Sequence, residues 1–485
     1  MGVKSAAARD PLYVRLASEF RRQIDDGVLR VGDKLPSVRA LRQGRRVSTA
    51  TVTDAYLRLE RDGYVRARDR SGFYVAQPLA RALPEPLAPV SLVPPVPVGI
   101  SELVAQVIRE AGDGKCVPLG VSTLGPTLLP IARLNRAFRR AAARWPLHSA
   151  TYGSIRGQMP LRRQIARRAL TAGFTCDPED IIITSGGIDA LNLALRAVVA
   201  PGGVVAVESP TYFGVLQVLE ALGLRAVEVP ADSQSGIDLG LLDRAIKRHR
   251  VQAVVSMTTC HNPLGSVMSE AAKADLVALT ARRDLALIED GVYSELVYDE
   301  TRRRPAKAFD RKGLVLYCGS FSKVLAPGLR VGWVEAGRFR DRIEALKGIT
   351  SMSTAALPQL AVAELLESGF YDRYIRRLRV RAADQTGRYI QALSEALPSG
   401  TRMTRPAGAN VVWVQLPKGV DGSQLYRRLL DHGISVFPGE IFSAGAKHRG
   451  FLRVSCGATW SPVIERAVAV LGRLCGEAAG RVSGR

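Results

Sequence analysis

Ser320-Phe321-Ser322-Lys323-Val324-Leu325-Ala326-Pro327-Gly328-Leu329-Arg330 is the stretch from which the rest of the chain becomes readable. Its lysine stands among small hydroxyl residues, and an arginine follows a Pro-Gly turn. An amine condenses with an aldehyde, hydroxyls bond nearby oxygens, and a guanidinium balances a phosphate. Together they suit an aldehyde cofactor that carries a phosphate, which is the description of pyridoxal 5′-phosphate (PLP).

Outward from this stretch, apolar runs alternate with helical patterns from Ile100 onward: Asp180–Thr184, Gly203–Val207, Ala253–Met257, Ala286–Glu289 and Leu314–Tyr317. That alternation predicts an α/β domain with a mainly parallel sheet. Thr184-Ser185-Gly186-Gly187-Ile188-Asp189 follows one such run and opens a helical pattern through Leu191, Leu193 and Leu195. Glycines there let backbone N–H groups and the helix dipole face a phosphate. Asp290 ends the run Leu285–Glu289, where a carboxylate can pair with a protonated pyridine nitrogen. Asn262, in Cys260-His261-Asn262-Pro263-Leu264-Gly265, and Tyr293 can reach the ring 3′-oxygen, and Tyr212 can stack on the ring. Each alone has an ordinary explanation, since aspartates cap helices, Asn-Pro makes turns and tyrosines pack. Their joint order carries the reading.

The first eighty residues read differently. Leu12, Leu16, Phe20 and Ile24 keep helical spacing, and Ser37 is placed to cap a short helix. Ser48 or Thr49 can cap a third helix holding Val52, Ala55, Tyr56 and Leu59. Two alternating segments around Asp69-Arg70-Ser71-Gly72 predict a hairpin. Three helices and a β-wing describe a winged helix-turn-helix, whose third helix enters the major groove of duplex DNA. From Gln77 to about Gly99 prolines replace charge, which favours an extended, semi-rigid spacer.

A net charge of +23 calls for a polyanion or for a compositional cause. Residues 1–80 hold sixteen basic and nine acidic side chains, a net +7, and this alone does not establish a nucleic-acid partner. The six cysteines show no CxxC or metal-ligand spacing, so no metal and a reducing compartment are expected. There is no apolar run of about 18 residues and no signal-like start, which predicts a cytoplasmic protein without membrane contact.

With these residues in view, Gly27–Arg39, Val47–Val52, Ala55-Tyr56, Gly63-Tyr64-Val65 and Ser71–Val75 resemble the GntR-type winged helix. The resemblance implies DNA contacts from Arg39, from Ser48, Thr49, Thr51 and Thr53 at the recognition helix, and from Gly72 in the wing. Thr49 departs from the arginine common there, which leaves Arg45 and Arg46 to supply backbone attraction. From about residue 100 the chain resembles fold-type I PLP-dependent aminotransferases, which have a smaller C-terminal α+β subdomain. That likeness implies Lys323 as the Schiff-base lysine, Asp290 on the pyridine nitrogen and Asn262 and Tyr293 on the 3′-oxygen. It further implies Tyr212 over the ring, with Gly186, Gly187, Ile188, Ser320, Ser322 and Arg330 about the phosphate. Tyr152 would reach the neighbouring subunit of a homodimer, and Arg453 would grip a substrate carboxylate. Ile188-Asp189 departs from the glutamines frequent in relatives.

The whole chain is similar to the MocR subfamily of GntR regulators: residues 11–77 winged helix, 78–99 linker, 100–485 aminotransferase-like domain. The likeness implies a PLP-dependent transcriptional regulator, a head-to-tail dimer that senses PLP or an amino acid or amine effector. The alternative it implies is an active aminotransferase with a DNA-binding appendage, with Lys323, Asp290 and Tyr293 catalytic.

Overall fold

The computed structural model describes residues 12–45, 47–61, 63–68, 72–75, 83–87, 92, 94–112, 114–299 and 303–483. Contacts divide the chain into two units, the second beginning at Leu83.

In the first unit, α1 (Leu12–Asp25), α2 (Val38–Arg45) and α3 (Thr49–Arg61) precede a hairpin of β1 (Val65–Arg68) and β2 (Gly72–Val75). The hairpin pairs Val65 with Val75, and both are buried. Leu16, Phe20 and Ile24 line the core, whereas Leu12, which opens the helix one turn earlier, stays 51% exposed. Tyr56 is fully buried, its ring edge-on to Phe20 and its hydroxyl donating to the Pro36 carbonyl at 2.8 Å. Ser37 caps α2 by accepting from Ala40 N–H, and Ser48, not Thr49, caps α3 by accepting from Thr51 N–H. Arg45, expected to attract DNA, forms an ion pair with Glu19 on α1. Arg46 and the hairpin turn Asp69-Arg70-Ser71 lie outside the described residues.

The second unit is built on a nine-stranded sheet. Its main strands are β3 (Ile181–Thr184), β4 (Val204–Ser209), β5 (Arg225–Asp232), β6 (Val251–Ser256), β7 (Ala286–Asp290), β8 (Val315–Ser320) and β9 (Gly332–Glu335). They lie in the order β5-β4-β6-β7-β8-β9-β3, with β9 antiparallel to its neighbours and the others parallel. Most of these strand residues are buried, as crossover helices covering both faces require. In consequence Thr184, Ser209, Asp290 and Ser320 end their strands on the same edge, the carboxyl edge, where open α/β sheets bind ligands.

A helix α4 (Gly187–Val198) follows β3, and the long α5 (Phe370–Ala396) and α6 (Pro462–Ser483) flank a smaller sheet. That sheet joins β10 (Arg402–Met403), β11 (Val411–Gln415), β12 (Phe437–Pro438) and β13 (Phe451–Ser455) in the antiparallel order β10-β11-β13-β12.

The proline-rich stretch, expected to be a semi-rigid spacer, is described in part. From Leu83 onward its described residues lie on the second unit: Leu83 is buried, Met403 N–H donates to the Pro84 carbonyl at 2.8 Å, and Val96–Pro97 pairs with β5. Extended backbone makes no internal hydrogen bonds, so its carbonyls accept from whatever strand end is near. Among the described residues no helix is long and apolar enough to cross a membrane, and no cluster of three or more His, Cys, Asp or Glu could hold a metal.

Candidate cofactor site and DNA-binding face

Lys323 follows the end of β8 and turns back into the cleft, where its Nζ donates to the Ser122 carbonyl at 2.7 Å. The same ammonium lies 5.3 Å from the centre of the Tyr293 ring, and the Tyr293 hydroxyl shares a 2.7 Å hydrogen bond with Ser122 Oγ. Ser122 therefore braces both groups, one through its backbone and one through its side chain.

Asp290 is 2% exposed and accepts from Val292 N–H at 3.1 Å. Burial raises its pKa to about 6; Glu208 pushes the same way, while Val292 N–H, Lys323 and His261 pull against it. Behind it His261 Nε2 lies 3.1 Å from Glu208 Oε2, and Glu208 is held by Ser256 Oγ and Met257 N–H.

At the other end of the cleft Gly186 takes φ +100° at the start of α4, and a Cβ there would collide with the Arg330 guanidinium. Only glycine lets the loop pass so close to that charge. Arg330 donates to the Ser185 carbonyl at 2.7 Å, and Ser320 Oγ and Ser322 Oγ are 2.9 Å apart. Ile188 points outward at 39% exposure, and the neighbouring Asp189 accepts from Ser185 N–H. The turn is thus fixed by a carboxylate bonding its own loop. Tyr212, half-buried, precedes the helix Phe213–Ala221; burial raises its pKa, as do Tyr293 and Asp290, while Arg453 and Arg330 lower it.

Arg453, on β13, is 1% exposed. Its Nη1 donates to Asn262 Oδ1 at 3.1 Å and its Nη2 to the Gly120 carbonyl, while its buried Nε has no hydrogen-bond partner. Phe437 and Phe442 lie against the guanidinium, and burial lowers its pKa to about 10. A guanidinium held among rings, with carbonyls and no carboxylate as its hydrogen-bond partners, is set to receive an anion.

These residues fit PLP: an amine within the cleft, a buried carboxylate for a protonated ring nitrogen, and a glycine turn with Arg330 for the phosphate. Tyr152 stands apart, 85% exposed. Motif reading missed Ser122, Gly120 and Asn410, whose Oδ1 accepts from Ser122 Oγ at 3.4 Å; all three sit in loops without a recognisable pattern. It also passed over Glu208 and over His261, although His261 stands inside a motif that it used.

In the first unit Arg39, Ser48, Thr49 and Gly72 are exposed, while Thr51 and Thr53 are half-buried. Ser48 and Thr51 share a 2.8 Å hydroxyl bond and Thr53 donates to the Thr49 carbonyl, so these side chains already serve the helix.

Fold and cleft together define a PLP-dependent aminotransferase-like domain preceded by a winged helix. Comparison with known proteins agrees. Residues 127–471 match aminotransferase class I and II, and residues 12–75 match the bacterial regulatory proteins of the gntR family. The chain is 38% identical over 465 residues to the uncharacterized HTH-type transcriptional regulator YdcR of Escherichia coli (strain K12), covering 96% of this chain and 99% of that protein. It is 37% identical to YjiR, another such regulator of that bacterium, over 95% of this chain and 98% of the relative. The crystal structure of a multiple substrate aminotransferase from Thermococcus profundus superposes with a TM-score of 0.72 at 27% identity, over 78% of this chain and 95% of that one. The chain belongs to the MocR-type GntR regulators, in which a winged helix precedes a class I/II aminotransferase domain.

Proposed function

We propose that this protein is a transcriptional regulator that binds duplex DNA through its winged helices and reads an amino compound through a PLP-holding domain. The buried Arg453, with an unpartnered Nε and carbonyl acceptors only, carries this reading. It gives the cleft a preference for ligands bearing a carboxylate next to the amine.

PLP supplies an aldehyde that condenses with amines and a ring that withdraws electrons. Lys323 Nζ would anchor the cofactor. Asp290 would hold the ring nitrogen protonated, Asn262 and Tyr293 would bond the 3′-oxygen, and Tyr212 would cover the ring face. Gly186, Gly187, Ile188, Ser320, Ser322 and Arg330 would surround the phosphate. Tyr152 extends to the neighbouring subunit of a head-to-tail homodimer, and Arg39, Ser48, Thr49, Thr51, Thr53 and Gly72 form the DNA face. An effector shifts DNA affinity only by binding two dimer arrangements unequally.

A second reading has one observation in its favour: Lys323, Asp290, Tyr293 and Arg453 stand in one cleft, a full set for transamination. Lys323 Nζ would then carry a proton from the ligand's Cα to the cofactor's C4′. Amino-acid titration of the PLP absorption band, followed by assay for keto-acid product, separates the two. A spectral shift with altered DNA affinity and no turnover supports the regulator; multiple turnover without any effect on DNA supports the enzyme.

A further inference from the structure

Apart from the cofactor cleft, the second unit holds a hollow of about 290 Å³ between the small sheet and the carboxyl end of β5. That volume is at the lower edge for small-molecule sites, about 300–1,000 Å³. Its roof is Pro86 and Leu87, in the segment that leads from the winged helices. Four hydrogen bonds strap this segment down. Met403 N–H donates to the Pro84 carbonyl (2.8 Å), Arg402 Nη1 to the Glu85 carbonyl (3.0 Å), Leu87 N–H to Gln415 Oε1 (3.2 Å) and Ser233 Oγ to Glu85 Oε2.

The walls are largely apolar and aromatic: Trp413 and Phe451 stack with centroids 5.2 Å apart and planes inclined by 16°. Aromatic faces attract a cation, and of these two rings Phe451 is the more exposed. Two charged residues line the hollow, Asp232 and Lys447. Lys447 is tied to Glu228 at 2.5 Å, and the Glu85 carboxylate accepts from the lining Ser233, so Asp232 and Glu85 are the carboxylates left to meet a cation. His448, on the wall, is buried and kept neutral, since burial lowers its pKa to about 4. None of these residues belongs to the cofactor cleft.

We propose that this hollow binds a small aromatic organic cation, such as an arylalkyl ammonium, with its ring against Trp413 and Phe451 and its charge facing the carboxylates. The proposal does not depend on the regulator reading. Benzyltrimethylammonium tests it, because a quaternary amine cannot condense with PLP and so cannot report the cofactor cleft. In isothermal titration of the PLP-loaded protein, saturable binding is expected, with benzoate, an anion of similar shape, binding at least tenfold more weakly. Ser233→Lys, which adds an ammonium beside Glu85, should weaken the cation about tenfold. Leu87→Ala, at a residue 66% exposed and therefore safe for folding, should weaken it severalfold by opening the roof. Absence of binding, benzoate binding as well as the cation, or unchanged affinity in both variants would overturn the proposal.

Discussion

Lys323 and Tyr293 meet over a single residue: Lys323 Nζ donates to the Ser122 carbonyl while the Tyr293 hydroxyl bonds Ser122 Oγ, both at 2.7 Å. The amine is therefore aimed by backbone, and substitution of the Ser122 side chain leaves its acceptor in place.

Lys323→Ala should abolish covalent retention of PLP without unfolding the protein. Borohydride reduction and peptide mass analysis will find the reduced cofactor on the peptide holding Lys323 in the parent and none in the variant. Ser122→Ala should keep that adduct, because its carbonyl remains. Cofactor retained covalently in Lys323→Ala would remove the assignment.

Asp290→Asn gives two opposed effects. In the cofactor-free protein the native state keeps the Asp290 proton up to pH about 6, whereas the unfolded chain releases it near 3.8. Stability therefore falls as pH rises through that window and is level above it. Removing the carboxyl abolishes this slope and stabilises the cofactor-free protein by roughly 2–3 kcal/mol at pH 7, at about 1.4 kcal/mol per pH unit. PLP affinity should drop in the same variant. Thermal melts of the cofactor-free protein between pH 4 and 7 check the first effect, and equilibrium dialysis the second.

Arg453→Ala should weaken amino acids far more than amines that lack a carboxylate. Losing a bidentate charged contact costs about 2–5 kcal/mol for the carboxylate-bearing ligand. Spectral titration of PLP with an amino acid and with its decarboxylated amine gives the ratio; equal losses for the two would deny Arg453 the carboxylate.

Ser48→Ala removes the α3 cap and the bond to Thr51, at a cost of about 1 kcal/mol of stability. Arg39 is exposed, so Arg39→Ala should leave the melt unchanged while weakening DNA binding. If both variants lost DNA affinity only in proportion to lost stability, the proposed docking face would be wrong.

Periodicity made much of this fold legible. Leu16, Phe20, Ile24, Val52 and Tyr56 fall in the core as their spacing requires, and Asp290 and Ser320 end parallel strands on one edge. Leu12 failed because spacing cannot say where a core stops. The pairing of Arg45 with Glu19 was hidden because the partners lie 26 positions apart. Ser122 and Asn410 were invisible for the same reason: each is an ordinary residue in a loop, and long-range folding alone brings Ser122 to Lys323. Composition marked the proline-rich stretch as lacking helical or strand periodicity, but it does not reveal which surface the carbonyls of its described residues will find.

Fluorescence anisotropy on the DNA upstream of the protein's own gene tests the central claim most directly. It uses PLP-loaded protein, a scrambled duplex and a salt series. Binding that prefers the upstream duplex, survives physiological salt and shifts when an amino acid is added is the predicted result. Equal binding to both duplexes that disappears with salt, and no response to amino acids, would leave only generic backbone attraction and contradict it.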